Sequence, residues 1–69
     1  MVEVFKTNVT EENEAARLLS LLINQLPACI INFDLQDCDN ILRVKGDAIP
    51  INSIIELVNS NGFDCALLD

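Results

Sequence analysis

The feature of this chain that most constrains its fold is a repeated change in the spacing of its apolar residues. Four segments alternate between apolar and polar residues, and these are 2–8, 29–35, 41–45 and 63–68. Two segments between them carry apolar residues at spacings of three and four. Alternation is typical of a strand with one buried face, and the wider spacing is typical of an amphipathic helix. The sequence therefore predicts the order strand, helix, strand, strand, helix, strand.

Residues at the ends of the two helical segments support this division. Thr10 is suitably placed to cap the first helix, and Pro27 ends it. Pro50 fits the first turn of the second helix, and Gly62 fits the position just after its end. The apolar stripe of the first helix is predicted to comprise Ala15, Leu19, Leu22, Ile23 and Leu26, widened by Leu18 and Leu21.

The element order fits a split βαβ arrangement, in which two helices cover one face of a four-stranded antiparallel sheet. We therefore predict one α+β domain over residues 1–69, a ferredoxin-like βαββαβ sandwich with the spatial strand order 4-1-3-2. A chain of 69 residues is long enough for a single small core.

The charge balance of the chain excludes several classes of partner. Eleven acidic residues oppose four basic ones, for a net charge of -7. Binding to nucleic acid or to an anionic membrane requires a basic surface, so neither partner is expected. No segment reaches the ~18 apolar residues of a membrane span, and the first three residues lack the basic start of a signal peptide. The sequence thus predicts a small soluble protein of the cytoplasm.

Four segments of the chain resemble signatures of the heavy-metal-associated (HMA) domain family, which includes small copper chaperones and modules of metal-pumping ATPases. Residues 46–50 resemble the family's turn into its second helix, and 54–58 resemble the core of that helix. Residues 61–64 resemble its Gly-aromatic-Asp signature, and Leu26-Pro27 resembles the end of its first helix. The resemblance covers nearly the whole chain and implies the same ferredoxin-like fold.

The chain departs from the family at the metal site. The family motif, Met-x-Cys-x-x-Cys, lies at the first strand-helix turn. Counting back from the end of the first helix places the two cysteines at Glu12 and Ala15, and a register one residue away places them at Glu11 and Glu14, with Val9 at the Met position. Neither register supplies a thiol, so soft-metal binding is not expected and no cofactor is predicted.

The resemblance also places Phe63 at the family's aromatic position beside the metal loop. Without the thiols, Phe63 is predicted to be a packing residue. The site positions implied by the family are therefore occupied by apolar and carboxylate side chains.

The three cysteines, Cys29, Cys38 and Cys65, are predicted to remain free. The expected strand order separates them too far for a disulfide or a shared metal ion. Cys29 and Cys65 have core parity, whereas Cys38 lies in the hairpin loop 36–40 between two aspartates. Neighbouring carboxylates disfavour a thiolate, so Cys38 is not expected to be a reactive nucleophile.

Two functional hypotheses remain open. The first is a degenerate HMA-like domain without the CxxC site, acting as a non-enzymatic protein-interaction or regulatory module. No histidine or serine-based triad is available for acid-base work, and a domain this small offers little concavity. The predicted open sheet face carries Lys6, Arg43 and Lys45 among apolar residues, which suits a protein partner or self-association as a homodimer.

The second hypothesis is a metal-binding or heavy-metal transport protein with non-standard ligands in the first strand-helix turn. Its ligands would be Glu11, Glu12, Glu14 and Cys38. Carboxylates prefer hard cations, and they are also common at helix starts without any ion. Metal titration separates this hypothesis from the first.

Overall fold

The computed structural model describes residues 1–68 and has the predicted element order and α+β class. The elements are β1 (Val2–Thr7), α1 (Glu12–Gln25), β2 (Ile30–Asp34), β3 (Ile41–Lys45), α2 (Ile51–Ser60) and β4 (Cys65–Leu67). The four strands form one antiparallel sheet in the order β2-β3-β1-β4, so β1 and β3 are central. Read from the β4 edge, this is the order 4-1-3-2. Within residues 1–68, no helix is both long and apolar enough to cross a membrane.

Both helices pack on the same face of the sheet. Leu22 of α1 and Ile54 of α2 share one cluster of buried side chains with residues from all four strands. The strand residues in this cluster are Phe5, Ile31, Leu42, Val44 and Cys65. They share one parity in the strand register, so they lie on one face of the sheet, where Glu3 and Thr7 are the polar residues of the paired strands.

The start of α1 differs from the prediction. The helix begins at Glu12 with Glu11 at the N-cap and no side-chain capping hydrogen bond, so the prediction that Thr10 caps it is wrong. The turn between β1 and α1 is instead held by hydrogen bonds of Thr7, which precedes it. The Thr7 hydroxyl donates to the Asn40 carbonyl oxygen (2.6 Å) and accepts a hydrogen bond from the Val9 N–H (3.2 Å).

The buried stripe of α1 is also narrower than predicted. Ala15, Leu18 and Leu22 are its buried residues, whereas Ile23, predicted to lie in the core, is 47% exposed. Seven apolar residues cover more of the helix circumference than one sheet and one neighbouring helix can bury. Ile23 lies about 100° around the helix axis from Leu22, and it emerges at the edge of the covered region.

The end of α2 follows the prediction closely. Gly62 has a φ of 93° and donates to the Asn59 carbonyl oxygen (3.0 Å), while the Phe63 N–H reaches the Val58 carbonyl oxygen (3.3 Å). This pair of bonds is a Schellman motif, which requires the left-handed conformation that glycine adopts without strain. At the other end, Pro50 occupies the N-cap rather than the first turn.

Candidate functional site

The turn between β1 and α1, where the resemblance predicts a metal loop, is closed by apolar contacts. Val9 is fully buried and Ala15 is 5% exposed, and both pack in one cluster with Leu18. Phe63 is half-buried and packs against this cluster and against the main core. The position predicted for Phe63, as a packing residue beside the turn, is therefore confirmed. Of the six positions compared with the family motif, three are apolar, pack inward and offer no ligand atom, namely Val9, Ala15 and Phe63.

The three glutamates of this turn do not converge. Glu11 and Glu12 are exposed. Glu14 forms an ion pair with Arg17 (2.9 Å), and Arg17 also donates to the Asn61 side chain at the end of α2 (2.9 Å). Arg17 thus links α1 to the end of α2 by a hydrogen bond, while its exposed ion pair with Glu14 lies within α1 and contributes only about 0.2–1 kcal/mol.

In residues 1–68, one place alone groups three potential metal ligands, and it lies in the hairpin between β2 and β3. Ligand atoms of Asp37, Cys38 and Asp39 lie within 4.8 Å of one another. One Asp37 carboxylate oxygen already accepts the Asp39 N–H (2.9 Å). This hairpin contacts the sheet at Thr7, whose N–H donates to the Asp39 carbonyl oxygen (3.1 Å).

The fold therefore separates the four residues that the sequence suggested as metal ligands. Cys38 groups with its own neighbours, while Glu11, Glu12 and Glu14 lie outside this group. An exposed thiol with two carboxylates has mixed chemistry, because thiolates select soft metals and carboxylates select hard ones.

All three cysteines are free, as predicted. Cys65 lies in the core, where burial raises the pKa of its thiol from 9.0 to about 11, so the side chain stays protonated at neutral pH. Cys38 is exposed. The prediction that Cys29 is a core residue needs correction, because it is only half-buried at the start of β2. Its sulfur leaves no room for a side chain at residue 46, since a Cβ on Gly46 would lie 2.9 Å from it.

The open face of the sheet gathers most of the basic side chains. Strand register places Lys6, Arg43 and Lys45 on the face opposite the helices, with Asp34 as the one carboxylate of the paired strands on that face. The chain has only four basic residues in all. Apolar side chains share the face, namely Val2, Val4, Ile30, Ile41, Ala66 and, in continuation of β4, Leu68.

Exposure on this face is uneven. Ile30 is 70% exposed and Leu68 is 38% exposed, whereas Ile41 is only 3% exposed. Ile41 lies between Lys6 and Asp34 in the register and belongs to neither buried cluster. The sequence placed all these residues on the open face, but alternation alone does not indicate which of them are covered.

Helical spacing also failed to predict that the flank of α1 above β2 is exposed at Ile23. A helical projection anchored on Leu18 and Leu22 would have found it, since it places Ile23 at the margin of the stripe.

Comparisons of this chain with protein-family models, with curated proteins and with solved structures found no match.

Proposed function

We propose that this chain is a non-enzymatic protein-interaction module, a degenerate HMA-like domain of ferredoxin-like fold, which docks an acidic protein segment on its open sheet face. The observation that carries the proposal is the concentration of positive charge on that face. Three of the four basic residues lie there, in a chain with a net charge of -7.

The three cations are close enough to act together. Arg43 and Lys45 are two residues apart on one strand, which corresponds to about 7 Å. Lys6 is a diagonal neighbour of Arg43 across the β1–β3 pair, at about 7–8 Å. Like charges at these separations repel, because the distances lie within the Debye length of about 8 Å at physiological salt. A partner carboxylate between them removes that repulsion and adds attraction.

The apolar residues of the face supply the second part of the recognition. Val4 is half-buried between the cations, and Ile30 and Ala66 are exposed on either side. A segment that alternates carboxylate and apolar side chains matches this pattern. Charge complementarity mainly accelerates and selects the encounter, while the apolar contacts contribute affinity.

The competing function is metal handling, and the hairpin group of Asp37, Cys38 and Asp39 is the observation that favours it. Titration with copper(I), zinc and calcium separates the two functions. The interaction module predicts no metal complex of submicromolar affinity. A tight one-to-one complex that is lost in Cys38→Ser would favour metal handling.

A peptide-binding experiment tests the docking proposal. A fluorescent peptide of alternating Glu and Val is titrated with the protein, and anisotropy reports binding. We expect the peptide to bind more weakly as the salt concentration rises. We also expect its affinity to fall about tenfold or more in Arg43→Glu and in Lys45→Glu, because a carboxylate of the peptide then loses its oppositely charged contact. Arg17→Glu is the matched control, since it makes the same charge change on the helical side.

Two results would contradict the proposal. The first is equal binding by Arg43→Glu, Lys45→Glu and Arg17→Glu, which would mean that the open face is not the binding surface. The second is tighter binding of single-stranded oligonucleotide than of the acidic peptide at the same salt concentration. That outcome would assign the cations to nucleic acid instead.

A further inference from the structure

The exposed edge of the sheet at β2 has the features of an interface with a second copy of this chain. β2 is a five-residue edge strand, Ile30–Asp34, and it contains no proline or lysine. Edge strands in monomeric proteins are usually short, charged or interrupted, because their unpaired backbone groups pair readily with other strands. The opposite edge, β4, has only three residues.

The backbone hydrogen bonds identify which groups of β2 face outward. The Gly46 N–H donates to the Met1 carbonyl oxygen (3.0 Å), so this is a hydrogen-bonded pair of the β1–β3 ladder. Such pairs alternate along a strand. Ile41, Arg43 and Lys45 therefore direct their backbone groups toward β2.

The partners of those three residues on β2 are Asp34, Asn32 and Ile30. The backbone groups of these β2 residues consequently point into the sheet. By the same alternation, the N–H and C=O groups of Ile31 and Phe33 point away from the sheet. Four strong hydrogen-bonding groups thus line the free edge.

Beyond Glu12, which is exposed in its first turn, the flank of α1 above this edge is apolar. Arg17 reaches the end of α2, and Gln25 lines a shallow hollow with α2 residues, so this side of α1 faces α2. Ala16, Leu19 and Ile23 lie on the opposite flank, at helical spacing. Ile23 is 47% exposed there, as Ile30 is 70% exposed on the other side of the strand.

The spacing of helices and strands fits an array continued across this edge. Packed helices lie about 8–10 Å apart, which matches two strand spacings of about 4.8 Å. Two helices packed side by side therefore span about the same width as four strands of the sheet. If a second sheet is added at β2, its α1 arrives beside the first α1 at helix-packing distance.

We infer that two copies of this chain associate edge to edge through β2, antiparallel about a two-fold axis that passes beside Asn32. In this register Ile31 of each copy pairs with Phe33 of the other, and the outward N–H and C=O groups of both residues form four hydrogen bonds. A shift of two residues leaves half of these groups unpaired. The pairing joins two four-stranded sheets into one and buries Ile23 between the two copies of α1.

Charge supports the same register. Asp34 of one copy lies opposite Ile30 of the other, and Lys45 lies beside Ile30 on the same face. The carboxylate and the ammonium thus approach across two strand spacings, about 10 Å between backbones, which a lysine side chain largely spans. The two Asp34 side chains lie at opposite ends of the paired strands. The open faces of the two copies lie side by side, and this interface shares Ile30 and Lys45, at the β2 side of the face, with the proposed docking surface.

Sedimentation equilibrium measures the association directly. The interface consists of one strand pair and one helix flank, so we expect reversible dimers in the micromolar range. Ile23→Lys and Ile30→Lys should each weaken dimerisation about tenfold or more. Leu21→Lys is the matched control, because Leu21 is 39% exposed and lies one turn before Gln25, on the α2 side of the same helix.

Disulfide trapping tests the register. Asn32→Cys in a Cys38→Ser background places two thiols opposite each other in a pair with Cα atoms about 4.5 Å apart, within disulfide range. Oxidised glutathione should cross-link this variant and not Lys45→Cys in the same background. A monomer at millimolar concentration, a dimer unaffected by Ile23→Lys, or equal cross-linking of both cysteine variants would overturn the inference.

Discussion

The two faces of this sheet carry opposite kinds of side chain on the same two central strands. Phe5, Leu42 and Val44 point to the helices and are fully buried. Their neighbours Lys6 and Arg43 point to the open face. Because successive residues alternate between faces, one face can concentrate the stabilising contacts while the other is free to carry charge. From this comparison we expect that the cations of the open face are not needed for folding.

The largest expected effect concerns two adjacent residues on opposite faces. Leu42→Ala should destabilise the domain by about 2–5 kcal/mol, because it opens a cavity in the main core. That loss rivals the whole stability of so small a chain, so the variant should be largely unfolded at room temperature. Urea denaturation followed by circular dichroism measures the change.

Ile41→Ala is the matched control for this prediction. Ile41 is 3% exposed but lies outside both buried clusters, so its truncation opens a site that side-chain movement and water can fill. We expect a loss of about 1–2 kcal/mol, mainly from transfer of the side chain. Equal losses in the two variants would mean that the open face is a second core, and the contrast between the faces would fail.

The sequence predicted the class and order of elements because each strand and helix keeps a clear apolar period. The inward Leu42 and Val44 and the outward Arg43 and Lys45 followed from alternation, and the helix stop at Gly62 followed from its conformational freedom. The wrong predictions concern features that tertiary contacts determine. Ile23 is exposed because only part of a broad apolar stripe meets the sheet.

The candidate sites were less predictable. The absence of thiols from the first strand-helix turn and the packing role of Phe63 were readable from residue identity alone. The hydrogen bond from Thr7 to Asn40, which joins residues 33 positions apart before α1 begins, has no local signal. The free backbone groups of β2 likewise follow from strand pairing, which alternation along one strand does not specify.

A second prediction concerns the buried thiol on the helix-covered face of the sheet. Burial raises the pKa of the Cys65 thiol to about 11, from 9.0. The unfolded chain therefore releases this proton first as the pH rises. The free energy of unfolding contains a contribution that is complete below pH 9.0 and is lost as the pH rises to about 11. The expected size is roughly 2–3 kcal/mol.

Denaturation at a series of pH values isolates this contribution. The fall in stability between these two pH values should be smaller in Cys65→Ala than in the parent chain. Cys38→Ala should keep the full fall, because Cys38 is exposed. The same fall in both variants would contradict the assignment of the effect to the buried thiol.

The smallest expected effect lies on the open face. Arg43→Gln and Lys45→Gln should change the free energy of unfolding by less than about 0.5 kcal/mol, and removal of a like-charge neighbour should make the change neutral or stabilising. Arg17→Gln, which breaks an exposed ion pair with Glu14, should cost a similarly small amount in the opposite direction. Denaturant melts at low and high salt measure all three, since screening weakens repulsion and attraction alike. A loss above about 1 kcal/mol in Arg43→Gln or Lys45→Gln would show that these cations hold the sheet together. Their concentration on one face would then be explained by stability, and the argument for an acidic partner would lose its main support.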